Sequence, residues 1–584
     1  MGILKDLKKN FTVNLKNYKN MNLKKYILFF FMSTLFVQAQ EKKDYGRVFG
    51  GLESNIQRYL EFENDEDSPE YFRSNNYLQL NYEIAKWTFG LQAESYTKKA
   101  LLNYYPGFDG TNIATYFAKY KSKKFEATAG YFYEQYGSGM ILRAWEDRSL
   151  GINTALRGGK IFYKPTKDLK IKAFYGQQRS GFKVSDGQLF GFDVEANLAD
   201  WFSFQETSLE MGFSNVNRYE KIDKSLVDAP DFNPTTNAYS LRAAFSHDIF
   251  YASFEANYKT KDAIVNRITN SFLNDLVKDG TALQFNMGIA KDGLGIDVTL
   301  RRTENMLFTS ERIPEAIGLN QSSLDYSDKV INFTPALTKQ HHSNLANIYV
   351  YQAQAGVEFK SNEIMKSGET GGQIDVVYDF AKDTKFGGKY GTKLAVNYAS
   401  WYNLPGTYRS VPASYDANFL GVGEKYFSDL NLEVKKQFSE QTRASFLYVN
   451  QYYNKPWIED ASADVNTHIL YGELIYNFAT TKSIKAELEH MWADADFKNW
   501  IGGSVEYSFN DKYSVYAMDM VNYGNDSQEE KDKHYLNIGG AYRKGATRVS
   551  LGYGKQRGGL VCVGGVCRFV PESTGIALSF NTAF

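Results

Sequence analysis

After residue 40 this chain has no apolar run approaching the roughly 20 residues that a helix needs to cross a bilayer. From Tyr45 onward it is instead divided into alternating stretches of about 10 to 13 residues. Very short connections recur at Ala85-Lys86, Ser122-Lys123, Pro165-Thr166-Lys167, His247-Asp248, Lys291-Asp292-Gly293, Ser439-Glu440, Thr480-Thr481, Asp511-Lys512 and Gly545-Ala546, with longer polar segments between them. A soluble sandwich or propeller has no reason to keep all its short turns at one end. A barrel crossing an outer membrane does, with short periplasmic turns and long extracellular loops. The pattern predicts an all-β fold, a large antiparallel transmembrane barrel of about 24 strands (about 22 to 26), with both ends on the periplasmic side. Ten residues rising about 3.3 Å each and tilted by about 45° cover roughly 23 Å, the height of such a barrel's apolar band.

Several strands show two unlike faces. Leu294, Ile296, Val298 and Leu300 alternate with Gly295, Asp297, Thr299 and Arg301; Leu430, Leu432 and Val434 with Asp429, Asn431, Glu433 and Lys435; Leu536, Ile538, Gly540 and Tyr542 with Asn537, Gly539, Ala541 and Arg543. Only the first face of each suits lipid, because Lys or Arg at mid-bilayer costs about 2–4 kcal/mol. On these faces Leu432→Arg is expected to block assembly and Asn431→Arg to be tolerated. Between Val515 and Val521 either assignment leaves a conflict. The 43 Tyr and 42 Phe suit strands and interfacial aromatic girdles. The 67 basic and 67 acidic residues balance, so no whole-chain field argues for a nucleic-acid partner.

The stretch Gly575 to Phe584 alternates strictly, with Ile576, Leu578, Phe580, Thr582 and Phe584 on one face. A soluble edge strand is the plain alternative. A terminal strand ending in Phe resembles the C-terminal signal of bacterial outer-membrane barrels, which closes the barrel and is read by the insertion machinery. Ile576, Leu578, Phe580 and Phe584 are therefore the expected barrel-closing residues, and the barrel-assembly machinery and outer-membrane lipid the expected partners.

Met21, Lys24 and Lys25 precede the apolar run Tyr26 to Val37 and then Ala39, which reads as a cleaved secretory signal peptide over 21–39. Residues 1–20 read as an overcalled start, and 40–584 as one barrel domain. Cys562 and Cys567 are the two cysteines, separated by a segment containing Gly564-Gly565. In an exported chain this favours a local disulfide over free thiols. Two Cys alone make a poor metal site, and no cofactor is expected.

Three stretches break the hairpin rhythm. Phe125 to Lys164 carries Gly137-Ser138-Gly139, apolar Met140, Ile141, Leu142, Trp145 and Leu150, and the charged residues Glu134, Arg143, Glu146, Asp147, Arg148 and Arg157. A loop this apolar is poorly suited to water, so it is expected to fold into the lumen. Its charges either brace the wall or form a constriction that selects solutes. Thr303 to Thr370 is too long for one hairpin loop. Within it, Leu345 to Glu358 reads as an extra strand or as part of a loop over the barrel mouth. In Lys261 to Asp279 the spacing of Ile264, Ile268, Phe272 and Leu276 predicts a helix.

No G-x-S-x-G or H-E-x-x-H motif occurs. His341-His342-Ser343-Asn344 has the residue types of a catalytic site, but adjacent residues on a short stretch point apart. An enzymatic reading would need an outward-facing His with a carboxylate or Ser partner on another strand. Gly387 to Lys393 reads as a Gly-rich periplasmic turn rather than a phosphate loop, and the acidic segment Glu61 to Glu70 as a solvated loop rather than a Ca²⁺ site.

The run Tyr131 to Arg157, with Ser74-Asn75-Asn76-Tyr77, Glu94-Ser95-Tyr96 and Lys99-Ala100-Leu101, Pro335 to His341 and Gly387 to Lys393, resembles an uncharacterised outer-membrane family of Bacteroidota. The resemblance spans residues 40–584 and implies a location and a barrel, not an activity. The expected function is a passive outer-membrane pore or uptake channel with an inward-folded loop lining its lumen. The main alternative is a self-plugged scaffold subunit of an outer-membrane secretion or barrel-assembly complex, with protein partners. An outer-membrane enzyme is the remote third reading. No plug domain is expected ahead of the first strand, which leaves passive permeation or scaffolding.

Overall fold

The computed structural model describes residues 45–584 except 63–70, 98–100, 102–107, 200, 203, 205, 223–226, 228, 230, 267–270, 314–328, 362, 460, 462, 528–530 and 564–565. The side chains of 62, 274, 275 and 561–569 also lie outside the described set. The signal-peptide segment and most of the acidic segment Glu61 to Glu70 therefore fall outside it. Among the described residues, no helix is long and apolar enough to cross a membrane.

The wall is a closed antiparallel barrel of 24 strands. In order these are Arg47–Phe62, Phe72–Ile84, Trp87–Tyr96, Gly110–Lys121, Phe125–Phe132, Leu156–Tyr163, Leu169–Ser180, Lys183–Asn197, Thr207–Tyr219, Thr235–His247, Phe250–Asn266 and Ser271–Lys291. There follow Leu294–Glu304, Gly368–Phe380, Thr392–Tyr402, Lys425–Gln437, Thr442–Tyr453, Val465–Ala479, Lys482–Ala493, Trp500–Ser508, Tyr513–Asn522, Asn537–Lys544, Thr547–Gln556 and Ser573–Ala583. Lys533–His534 extends the strand Asn537–Lys544 across a break of two residues. Each strand pairs with its neighbours in this order, and the last closes on the first from Gly51 opposite Ala583 to Phe62 opposite Ser573. Phe584 continues the seam, its N–H and C=O bonded to Gly50 at 3.0 and 2.9 Å. Ile576, Leu578, Phe580 and Phe584 thus belong to the closing strand, with Ile576, Leu578 and Phe584 exposed on its outer face.

All the short turns read from sequence lie at one end of the barrel. At Asp292-Gly293 both central residues have positive φ (48° and 86°), the mirror-image turn whose twist matches a right-handed hairpin. The segment 381–391 is a longer turn at the same end, closed by Asp383 N–H donating to Gly388 O at 2.8 Å; of the expected turn Gly387 to Lys393, residues 387–391 lie in it, while Thr392 and Lys393 open the next strand. The outer face carries exposed Leu300, Leu432, Phe446, Leu470, Leu488, Ile501 and Leu551, while the same strands turn Arg301, Asn431, Asp429 and Glu489 inward, buried.

Three expectations are corrected or resolved. Lys261 to Asp279 contains no helix among its described residues; Phe250–Asn266 and Ser271–Lys291 form one tall hairpin, with bulges between Lys259 and Asp262 and between Ala263 and Val265. The spacing misled because positions four apart also share one face of a strand. Leu345 to Glu358 is no additional wall strand: it is mostly irregular chain, with a single 3₁₀ turn at Leu345–Asn347, and Leu345, Ala346, Tyr349 and Tyr351 are fully buried. Register settles the Val515 to Val521 conflict. Val505 faces Ala517 and Ile501 faces Val521, so the odd-numbered residues point outward and Asp519 among them meets His534 at 2.7 Å.

Candidate functional site in the barrel lumen

The segment between strands Phe125–Phe132 and Leu156–Tyr163 turns into the barrel, as its apolar content requires. Tyr136, Met140, Ile141 and Leu142 are fully buried and pack with Phe132, Leu156 and Leu189 of the wall and with Met306, Phe308 and Ile331 of the segment 305–367. The two inward loops bond to each other through their backbones. Arg143 N–H donates to Ile331 O at 2.7 Å, Phe333 N–H to Gly139 O at 2.9 Å, and Asn332 Nδ2 to Met140 O at 2.8 Å. Arg143 is stacked between the rings of Trp145 and Phe333, with its guanidinium carbon 4.1 Å from each centroid. Met140 and its neighbours therefore avoid water by covering the partner loop, and the pair forms one body across the lumen.

Buried ion pairs hold this body to the wall. Within the wall beside it, Glu94 and Arg179 join the non-adjacent strands Trp87–Tyr96 and Leu169–Ser180, with 1% and 0% of their side chains exposed. Arg179 Nη1 and Nη2 donate to Glu94 Oε1 and Oε2 at 3.0 and 2.6 Å. Arg301 donates to Glu369 at 2.5 Å and to Pro335 O at 2.6 Å, while Glu369 also accepts from Tyr351 and from Gln354 N–H. Arg312 bonds Asp262 at 2.6 Å and Glu220 at 2.8 Å, and Arg218 bonds the same Asp262 at 2.5 Å. Farther along, His341 meets Asp429 at 2.8 Å, Lys339 meets Asn431 at 3.1 Å, and Glu489 accepts from Ser343 Oγ at 2.7 Å and from Leu345 N–H at 3.2 Å. Each wall residue here lies on the polar face of its strand, where alternation directs it inward.

The residues singled out from sequence divide between two places. Arg148 donates to Glu53 at 2.8 Å, Glu146 at 3.3 Å and Gln92 at 3.2 Å, and lies over the Tyr77 ring. Burial alone would lower its pKa, but Glu146 and Glu53 outweigh it and hold the guanidinium above the ordinary arginine value. Glu146 also accepts from Gln92 at 2.9 Å and Asn153 at 3.1 Å. Glu134 faces Lys160 and Lys172 at 3.2 and 3.8 Å. Asp147 caps its own turn, accepting from Ser149 and Leu150 N–H at 2.9 and 3.1 Å. Arg157 is not a lumen residue. Its neighbour Leu156 is buried against the loop, while Arg157 is exposed and shares the outward face with exposed Ile161 and Tyr163. The cause is phase: one residue of offset reverses every side chain of a strand.

Sequence reasoning did not single out Glu94, Arg179, Glu369, Asp429 or Glu489 as site residues. Their signal was an ionisable group on the non-lipid face of a strand, which marks a residue as inward but names no partner. His341, Ser343 and Asn344 go to two different carboxylates, so they form no relay. On the outer face His534 pairs with Asp519, His490 with Tyr523 at 2.7 Å and His468 with Tyr448 at 2.8 Å. This supplies the outward His–carboxylate pair that an enzymatic reading requires, but among the described residues no serine hydroxyl bonds His534. Cys562 is opposite Cys567 in the register of the hairpin Gly559–Val563/Val566–Val570, and their side chains lie outside the described residues.

A family model matches residues 21–584. The chain belongs to DUF6029, a family of unknown function. No curated protein matches it. Among solved structures, the siderophore receptor PirA from Pseudomonas aeruginosa is similar at 9% identity and a TM-score of 0.39, over 93% of this chain and 81% of that one. The translocation pore of the P pilus usher PapC matches at 9% identity and 0.39, over 92% and 99%. The copper transporter OprC matches at 9% and 0.38, over 94% and 82%. The barrel assignment for this DUF6029 member therefore rests on its own strand register.

Proposed function

We propose that this DUF6029 protein is an outer-membrane channel for polar solutes, closed at rest by its own two inward loops, and not an enzyme. The observation that carries the reading is the backbone pairing of the two loops at Arg143, Ile331 and Phe333 beside a lumen wall lined with charges of both signs. That wall includes Lys160, Lys172, Asp193 and Arg242 on one side, met there by Glu134 of the loop, and Lys435, Glu433, Lys485 and Glu487 on the other. Mixed charge in a wet lumen suits small polar solutes, and an interlocked pair of loops suits a gate. Under this reading the chain is exported by the signal peptide at 21–39, inserted by the barrel-assembly machinery, and carries a disulfide between Cys562 and Cys567.

A second reading has its own support. The loops are held by fully buried ion pairs, of which Arg301–Glu369 has 0% exposure on both sides, as a permanently plugged scaffold would require. Conductance of the refolded protein in a planar bilayer separates the two, beside a variant lacking Met140 to Asn153. The gated channel predicts few openings in the parent and steady, ion-selective current in the deletion. A silent deletion variant that still folds would refute the channel and direct the search to protein partners.

A further inference from the structure

The outer wall carries a notch in its aromatic surface. On the strand Phe250–Asn266, Ala256 lies between exposed Phe254 and Tyr258, with Leu241 and Leu283 directly opposite on the adjacent strands. Ala256, Tyr258, Leu241 and Leu283, with Phe213 and Tyr239, line a groove of about 540 Å³. Its upper end is roofed by Ala417 and Phe419 of the segment 403–424, and holds Arg302 and Glu304 on the outward face of the strand Leu294–Glu304. Counting from the Leu294 end, 302 − 294 = 8 residues, which is roughly 19 Å at about 3.3 Å per residue and 45° tilt, near the top of an apolar band about 25 Å tall.

The groove is thus apolar below and polar at headgroup height. Arg302 donates to Glu304 at 2.8 Å and to Asn418 O at 3.1 Å, and lies over the Phe419 ring. Its Nε has no acceptor in the protein, and its Nη1 reaches Thr281 Oγ1 only at 3.4 Å. The Nε is sealed from the groove, so the weakly bonded Nη1 is the donor left to spare, while Glu304 cancels the charge of the guanidinium. A neutral oxygen therefore suits it better than a phosphate.

We propose that this groove holds one ester-linked acyl chain of the outer-leaflet glycolipid of the lipid A type, with the tail over Ala256 and the ester carbonyl accepting from Arg302. The proposal rests on the outer-membrane reading above, which sets the leaflet that this end of the wall meets. An acyl tail fills a notch that would otherwise leave Phe213, Tyr258, Leu241 and Leu283 without contact on one side.

The test is native mass spectrometry of the full chain purified from outer membranes in mild detergent, with unboiled-gel mobility reporting barrel formation. Ala256→Trp fills the notch from the lipid side, and Ala256→Phe serves if the larger residue hinders folding. Leu551→Trp, twelve strands away on the opposite wall, is the control. The parent and the control are expected to retain about one glycolipid through detergent exchange, with at least a tenfold loss of occupancy in Ala256→Trp and several-fold in Arg302→Met. Equal retention in Ala256→Trp, no retained lipid in the parent, or a retained phospholipid instead would overturn the proposal while the gel still reports a folded barrel. A parent that forms no heat-modifiable barrel in the membrane fraction would overturn the membrane reading itself.

Discussion

Breaking the Glu94–Arg179 pair tests whether buried charge fastens non-adjacent strands of the wall to each other on its inner face. Both side chains are sealed, with 1% and 0% exposure, and share two parallel hydrogen bonds at 3.0 and 2.6 Å. Removing one member of such a pair leaves an uncompensated charge away from water, at a cost of about 3–5 kcal/mol, whereas removing both costs much less. The two members are not equivalent. Without Arg179, Glu94 still accepts from Gln92 at 2.9 Å and Tyr96 at 2.8 Å. Without a charged Glu94, Arg179 keeps Gly181 O at 2.7 Å and no other carboxylate at salt-bridge distance among the described residues. Glu94→Gln should therefore fall at the upper end of that range and Arg179→Met at the lower. The double variant should cost at least about 2 kcal/mol less than the sum of the singles. Urea unfolding of the refolded protein in vesicles measures these values. Single-variant costs that add to within about 0.5 kcal/mol would refute the pairing as the fastening.

Other substitutions probe the remaining links. Leu432→Arg places a charge on the lipid face at a position 41% exposed there, and should cost about 2–4 kcal/mol and reduce membrane insertion, read by heat-modifiable mobility. Asn431→Arg, which the sequence alone predicts to be tolerated, should also be harmful, because Asn431 is fully buried and bonds Asn397 and Asp429 at 2.9 Å; equal tolerance of both would remove the face assignment and the plug together. Phe333→Pro deletes the N–H donated to Gly139 and one face of the Arg143 stack, and should raise the frequency of openings in a planar bilayer with little change in urea midpoint. In the last outer segment, burial alone would raise Glu572, but Lys533, Tyr535 and Lys555 outweigh it and hold it below the ordinary glutamate value. Because a depressed carboxyl stabilises above its unfolded pKa and loses that contribution as pH falls through the folded one, hydrogen-exchange protection factors, corrected for the intrinsic rate, should fall across Gly559–Val563 and Val566–Val570 below about pH 4.

The wall was legible from sequence because each strand states its own solution. Alternation of Leu430, Leu432 and Val434 with Asp429 and Asn431 requires one apolar and one polar partner surface, and the tight turn after every second strand requires neighbours to run antiparallel. Closure is equally local, since Gly575 to Phe584 presents a complete apolar face that only another strand can continue. The loop Met140 to Leu150 was legible for a similar reason, because its side chains must leave water and the lumen is the nearest place to do so. What sequence left open was every choice between equivalent partners. Arg301 is marked as inward by parity, yet nothing local selects Glu369 over any other carboxylate. Arg157 shows the same limit in reverse, because its face depends on where the strand begins, and a boundary shifted by one residue sends it from lumen to lipid. Ile264, Phe272 and Leu276 fit helix and strand alike, so only the pairing of their hairpin decides between them.

The two inward loops also explain why the wall tolerates so many buried ions. A barrel this wide leaves a lumen that its own inward side chains do not fill, and a chain segment entering it must satisfy its backbone without a regular ladder. The loops answer with three kinds of contact: backbone bonds to each other at Ile331 and Phe333, apolar packing around Met140 and Tyr351, and wall carboxylates that accept from loop N–H groups, as Glu489 does from Leu345 and Glu369 from Gln354. The carboxylates serve as substitute acceptors for chain that has left the sheet; Arg301 offsets the burial of Glu369, while among the described residues Glu489 is held by Ser343, Asn344 and the Leu345 N–H alone. The same arrangement makes a gate possible, because such acceptors can exchange a loop donor for water when the loop moves, whereas a strand ladder would have to break as a unit.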